Sequence, residues 1–298
     1  MHPQPNIENI PFLSQHGQQV DTLRLDQIHP IVSGNKWYKL RYYLDAAQEG
    51  EYNQLASFGG PYSNHLVALA FAAQKAGIKS IGYVRSNQEE PITPSLQEAL
   101  NFGMELIYLG RTHFQEKKEA LLKTGNDKGI YYVDEGGYGR LGAKGAATIL
   151  TDWTIHHENK LHGYDFLVCA VGTGTMMAGL LNGAATHQKI IGIPVLKNEG
   201  TIRQEIQHLV NNAQVPFELL HQFHQGGYAK TTQEQIQFMN TFWSATQIPT
   251  DIVYTGKVFF AVNALVNQQY FQENSKVLVI HSGGLQGNRS LAAGVLQF

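Results

Sequence analysis

Short runs of β-branched and aromatic residues recur along this chain, and most of them end at glycines set beside small polar residues. The run at 54–60 meets Gly59-Gly60-Pro61, the run at 165–171 meets Gly172-Thr173-Gly174, and the run at 276–281 meets Ser282-Gly283-Gly284. Longer segments of helical period lie between such runs. Strands that alternate with helices build parallel sheets, because a parallel crossover needs a connection about as long as a helix. The pattern therefore restricts the chain to an α/β fold with mainly parallel strands.

Read in order, strands are expected at 54–60, 80–85, 105–109, 130–133, 165–171, 189–195, 251–254 and 276–281. Helices are expected from a cap at Ser63 or Asn64 through Ala73, at 94–102, 114–123 and 146–157, after Gly174, and at 258–270. Gly136-Gly137 closes a first block of alternation, and a second begins with the helix that follows. No repeat, low-complexity stretch or Pro/Gly/Ser-rich linker separates the two.

Charge narrows the partners. With 22 basic against 24 acidic residues the formal balance is −2, so no global field draws the protein to nucleic acid or to an anionic membrane. A small neutral or zwitterionic ligand is expected instead. Cys169 is the only cysteine and sits in an apolar run, which excludes an intrachain disulfide. Residues Met1-His2-Pro3-Gln4-Pro5 lack a basic segment followed by an apolar one, and the longest apolar run, 66–73, is too short for a bilayer. A soluble, cytoplasmic protein is the expectation, and no residue is assigned to a metal.

Four segments carry candidate chemistry. Gly172-Thr173-Gly174-Thr175 joins an apolar strand to a helical segment, where backbone N–H groups converge on an anion. A tight turn that merely needs glycine explains it equally well. The loop has neither a P-loop lysine nor the three-glycine dinucleotide spacing, so a lone phosphate is the better fit. Ser33-Gly34-Asn35-Lys36 places a lysine at a glycine turn entering a helix with Leu40 and Leu44 on its inner side, though a lone lysine there reads as a solvated one. Ser63-Asn64-His65 follows a strand end, where side chains project over the carboxyl edge of a parallel sheet. An ordinary cap and a structural histidine account for the same residues. His281-Ser282-Gly283-Gly284 reads as another strand end with a glycine turn.

Taken together and in order, these segments resemble the pyridoxal 5'-phosphate (PLP) dependent fold type II family that contains D-cysteine desulfhydrase and 1-aminocyclopropane-1-carboxylate deaminase. The resemblance spans nearly the whole chain. The family's GGNKxRKL is similar to Ser33 through Leu40, its GGxxSNH to Gly59 through His65, and its EGG with a later LGA to Glu135-Gly136-Gly137 and Leu141-Gly142-Ala143. Its glycine-rich phosphate loop resembles Gly172 through Leu180, its VYxGK resembles Val253 through Lys257, and its HTGG resembles His281 through Gly284.

The resemblance implies two units, each a mainly parallel sheet flanked by helices, with residues 45–145 inside a discontinuous 1–44 and 146–298 and PLP in the cleft between them. It implies that Lys36, beside Asn35, holds PLP as a Schiff base, that Asn64 bonds the ring hydroxyl, and that Ser282 meets the pyridine nitrogen. Gly172, Thr173, Gly174 and Thr175 would hold the phosphate. Ser63, Asn64 and His65 would receive a small amino-acid substrate, with Ser63, Tyr228 and Tyr254 also matching catalytic positions. Family members are commonly homodimers, so a homodimer is expected.

Departures bear on the substrate. The family arginine two places after the lysine is Tyr38, the usual Gly-Thr of the phosphate loop is Thr175-Met176, and Arg-Asp-Asp-Leu near the N-terminus is Leu25-Asp26-Gln27-Ile28. The deaminases carry a glutamate after the tyrosine of VYxGK, where this chain has Thr255. The expected activity is α,β-elimination on a substrate such as D-cysteine, giving pyruvate, ammonia and sulfide. The alternatives are cyclopropane ring-opening deamination, racemisation and a catalytically silent PLP-binding protein.

Overall fold

The computed structural model describes residues 5–87, 90–124, 129–156, 160–197, 200–211 and 214–298. Met1 to Gln4, within the segment read for a leader, lie outside the described residues, as does His157 at the end of an expected helix.

The chain opens with β1 (Ile7–Asn9) and β2 (Gln19–Arg24), and α1 (Asn35–Glu49) then leads to β3 (Gln54–Gly59). Alternation continues through α2 (Asn64–Ala76), β4 (Lys79–Arg85), α3 (Pro94–Asn101), β5 (Met104–Leu109), α4 (Phe114–Thr124) and β6 (Ile130–Val133). After α5 (Arg140–His156) come β7 (Phe166–Val171), α6 (Thr175–Gly183), β8 (Lys189–Pro194), α7 (Ile202–Leu209) and β9 (Phe217–Leu219). The helices α8 (Gln233–Thr246) and α9 (Thr255–Asn267) precede the last strand, β10 (Lys276–His281).

Among the described residues the strands form two sheets. One is four-stranded, in the order β5-β4-β3-β6, and entirely parallel. The other is six-stranded, in the order β1-β2-β10-β7-β8-β9, and parallel except for the antiparallel pair β1–β2. The α/β class with two mainly parallel sheets flanked by helices is thus what the chain adopts.

Each sheet is covered on both faces, which is why its central strands read as unbroken apolar runs. In β7, Leu167 and Cys169 pack with Ile149, Met177 and Leu180 of α5 and α6, while Val168 and Ala170 pack with Phe259 and Val262 of α9. In β3, Leu55 packs with Leu66 and Leu69 of α2, and Phe58 packs with Phe114 of α4. Each of the Leu, Ile, Val, Met and Phe side chains contributes about 1.5–3 kcal/mol on burial. Burial also pushes the Cys169 thiol up to about 12, so it behaves as a small hydrophobe.

Two readings of the sequence need correction. Residues 251–254 form no strand: the Asp251 carboxylate accepts the backbone N–H groups of Val253, Tyr254 and Thr255 at 2.9, 3.0 and 2.8 Å. That folds the β-branched run Ile252-Val253 into a turn, and α9 starts at Thr255 rather than 258. Likewise α5 begins at Arg140 instead of 146 and runs through two glycines. Close packing on α1 accounts for one of them, because a Cβ on Gly145 would lie 2.0 Å from the Tyr38 carbonyl oxygen. No helix among the described residues is long and apolar enough to cross a membrane.

Candidate active site

The carboxyl edges of both sheets converge on one cavity of about 280 Å³, the position at which open parallel sheets receive ligands. Ser63, Asn64 and His65 enter it after β3, Glu135 and Gly136 after β6, and Gly172, Thr173 and Gly174 after β7. Ser282 and Gly284 reach it after β10, while the first two turns of α1 supply Asn35, Lys36 and Lys39. Tyr228 and Tyr254 complete the wall. Of the residues expected in a site, Thr175 alone does not line the cavity. Its side chain is fully buried, with Oγ1 2.9 Å from Thr173 Oγ1, and only its backbone at the first turn of α6 is placed to serve an anion.

Lys36 is no solvated surface lysine. Gly34 takes φ +66°, and a Cβ there would sit 1.9 Å from the Ser282 carbonyl oxygen, so the turn before Lys36 is docked backbone to backbone on the exit of β10. The Asn35 N–H seals that contact by donating to the same oxygen at 3.2 Å. Lys36 Nζ donates to Asn35 Oδ1 at 3.0 Å. Burial lowers its ammonium to about 8, against a partly opposing attraction from Asp251. Lys39, one turn on, is also buried and is held well below the usual lysine range by burial and by the charge of Lys36.

Asn64 Nδ2 donates to the Gly284 carbonyl at 3.3 Å, which leaves Oδ1 buried with no hydrogen-bond partner. Ser63 caps α2, its Oγ accepting from the Leu66 N–H at 3.2 Å. His65 lies beneath them. Ser57 Oγ donates its proton to the Val133 carbonyl at 2.7 Å and therefore accepts from His65 Nε2 at 2.8 Å. Nδ1 is then a bare acceptor, buried without a partner, and the ring stays neutral because burial and the charges of Lys36 and Lys39 hold its pKa well below the ordinary range.

Opposite, the rings of Tyr228 and Tyr254 meet edge to face, with centroids 6.3 Å apart. Desolvation raises both phenols, in the case of Tyr228 although the residue is 46% exposed, and Tyr228 further raises Tyr254, so both remain protonated. Thr255 is turned away from the cavity: it is fully buried, and its Oγ1 donates to Asp251 Oδ1 at 2.7 Å.

Lys39, Arg85 and Glu135 also line the cavity, and none was given a role from sequence. Lys39 lay inside a recognised motif but carried no distinct signal. Arg85 and Glu135 face each other across the edge of the cavity at 3.7 Å. Their positions at or just after the carboxyl ends of β4 and β6 are the signal that could have found them.

The family described as pyridoxal-phosphate dependent enzyme matches residues 4–283. The chain is 27% identical to a 1-aminocyclopropane-1-carboxylate deaminase of Cyberlindnera saturnus, covering 93% of this chain and 90% of the relative. It is 26% identical to a mitochondrial bifunctional D-cysteine desulfhydrase/1-aminocyclopropane-1-carboxylate deaminase of Arabidopsis thaliana, covering 94% and 75%. The crystal structure of an ACC deaminase homologue superposes with a TM-score of 0.81 at 24% identity, covering 96% of this chain and 90% of the other.

The cavity fits such a cofactor. A phosphate would meet the N-terminus of α6, whose first N–H groups have no intrahelical acceptor, and Gly174 opens that turn in the left-handed conformation. The orphaned Asn64 Oδ1 suits a hydroxyl donor. Lys36 offers the amine.

Proposed function

The chain belongs to the pyridoxal-phosphate dependent enzyme family, and from that premise we propose that it is a lyase removing a β-leaving group from a small amino acid, D-cysteine giving pyruvate, ammonia and sulfide. One observation carries the reading. Lys36 is an amine lowered to about 8 by burial, facing a cavity that both sheet edges line. A general base works best when its pKa lies near the operating pH.

When bound, the cofactor withdraws electrons from the substrate's α-carbon. In this reading Lys36 holds it covalently and afterwards takes up the α-proton, with Asn35 Oδ1 orienting the amine. Backbone N–H groups at Gly172, Thr173, Gly174 and Thr175 would hold the phosphate. Asn64 Oδ1 would accept from the ring hydroxyl, and Ser282 would serve the ring nitrogen. A hydroxyl cannot keep a pyridine nitrogen ionised as a carboxylate does, which suits elimination or proton transfer better than transamination.

The substrate carboxylate falls to Ser63 and Asn64, above a neutral His65 whose bare Nδ1 accepts a proton donor of the substrate. Protonated Tyr254 and Tyr228 stand ready to give a proton to the departing sulfur.

A second reading, ring-opening deamination of 1-aminocyclopropane-1-carboxylate, draws support from what the relatives above are named for. Against it stands Thr255, which is buried on Asp251 and places no carboxylate beside Tyr254.

The deciding experiment incubates cofactor-loaded protein with D-cysteine, L-cysteine, D-serine and 1-aminocyclopropane-1-carboxylate. Sulfide and pyruvate from D-cysteine are expected. Ammonia and 2-oxobutyrate from the cyclopropane substrate without sulfide from cysteine would replace this reading with the second. Stereochemical inversion would indicate a racemase, and no turnover with cofactor bound would indicate a binding protein.

A further inference from the structure

Lys257 is fully buried, and its Nζ donates to the backbone carbonyls of His224 and Gly227 at 2.8 and 2.6 Å. Those carbonyls belong to the loop that presents Tyr228. Gln225, Gly226, Gly227 and Ala229 all take positive φ, at 50°, 87°, 109° and 54°, and for the two non-glycine residues that conformation is unfavourable. The same carbonyls close the loop's own turns, accepting from Gly227 N at 3.0 Å and Lys230 N at 3.2 Å. An ammonium donating to both braces both turns at once.

The anchor's location matters as much as its bonds. Lys257 lies in the first turn of α9, three residues after Tyr254, so both side chains leave the same side of that turn. One rigid helix start thus carries Tyr254 directly and Tyr228 through a two-pronged hydrogen bond. We propose that Lys257 is a positioning residue, setting the separation of the Tyr228 and Tyr254 hydroxyls by tying the 224–228 loop to the start of α9. The proposal rests on the reading that the tyrosine pair moves protons during elimination.

The test compares Lys257→Met, which keeps length and removes the donors, with Lys257→Arg, Tyr228→Phe and the double variant Lys257→Met/Tyr228→Phe. Hydrogen–deuterium exchange in peptides spanning 224–230 should quicken about tenfold or more in Lys257→Met, with and without cofactor, while α9 and β10 keep their protection. Elimination should lose about tenfold or more in kcat with KM within about threefold, the loss should shrink to under about twofold in the Tyr228→Phe background, and Lys257→Arg should recover part of it. Unchanged exchange at 224–230 would overturn the proposal. So would an equal loss of kcat in both backgrounds, or faster exchange throughout α9, since either would mean a purely structural lysine. Should Lys257→Met not fold, Lys257→Gln takes its place with the same outcomes. If no substrate is turned over by the parent protein, the functional reading fails, and the exchange experiment alone decides whether Lys257 ties the loop.

Discussion

Lys36 and Lys257 occupy two pockets of the same molecule, and each ammonium is brought to about 8 by burial against a partial attraction from Asp251. Their surroundings differ in what lies beyond the nitrogen. Lys36 has one side-chain partner and faces an open cavity, whereas Lys257 is shut in with two backbone carbonyls. A lowered pKa therefore records desolvation, common to both. Access and the number of committed donors separate a nucleophile from a strut.

The sharpest break of that contrast is chemical. Borohydride reduction of the cofactor-loaded protein should fix a pyridoxyl adduct on the peptide carrying Lys36, and Lys36→Ala should lower turnover by about 10³-fold or more. An adduct on Lys257 would erase the distinction. Next in size is Gly34→Ala. A Cβ at that left-handed position collides with the Ser282 carbonyl, so a loss of about 2–4 kcal/mol in unfolding free energy is expected, with weakened cofactor binding. Retained stability in denaturant titration would show that the turn before Lys36 is not held as described.

A smaller effect concerns titration. In cofactor-free protein, acylation of Lys36 by an amine-reactive ester should rise with pH through a midpoint near 8, because the ammonium is inert below it and the free amine reacts above it. Lys257 should stay unlabelled until the protein unfolds. A midpoint above 10 at Lys36 would mean that burial does not control its amine. Smallest of all, Asp251→Asn should move the Lys36 midpoint further down, since the attraction that partly opposes burial is removed. An upward movement would contradict that sign.

Most strands and the glycine turns after them were legible because β-branched runs buried on both faces carry a strong local signal, as in β7, β8 and β10. β2 was not legible, since three of its residues are polar yet buried. Asp21 takes hydrogen bonds from Asn9, Gln19 and Tyr164 at 2.6, 2.7 and 2.6 Å, and Arg24 is paired with Glu8 and Asp26. Residues 251–254 failed in the opposite sense: their composition suits a strand, and one carboxylate overrides it. At the site, short motifs named most of the cavity wall. They did not name Arg85, which belongs to no motif at the end of β4, and they could not show that Thr175 is fully buried and does not line the cavity.

The docking of Gly34 on Ser282 joins segments far apart in the sequence, and the parallel pairing of β2 with β10 does the same over a whole strand. Such contacts form late, because a long loop must close before they are rewarded. A nascent chain still missing β10 has the 172–175 loop and the Ser63-Asn64 turn already synthesised, but the turn before Lys36 has nothing to dock on. Assembly of the site is thus coupled to the synthesis of β10, and chains truncated before residue 276 should bind the cofactor far more weakly than the 298-residue chain.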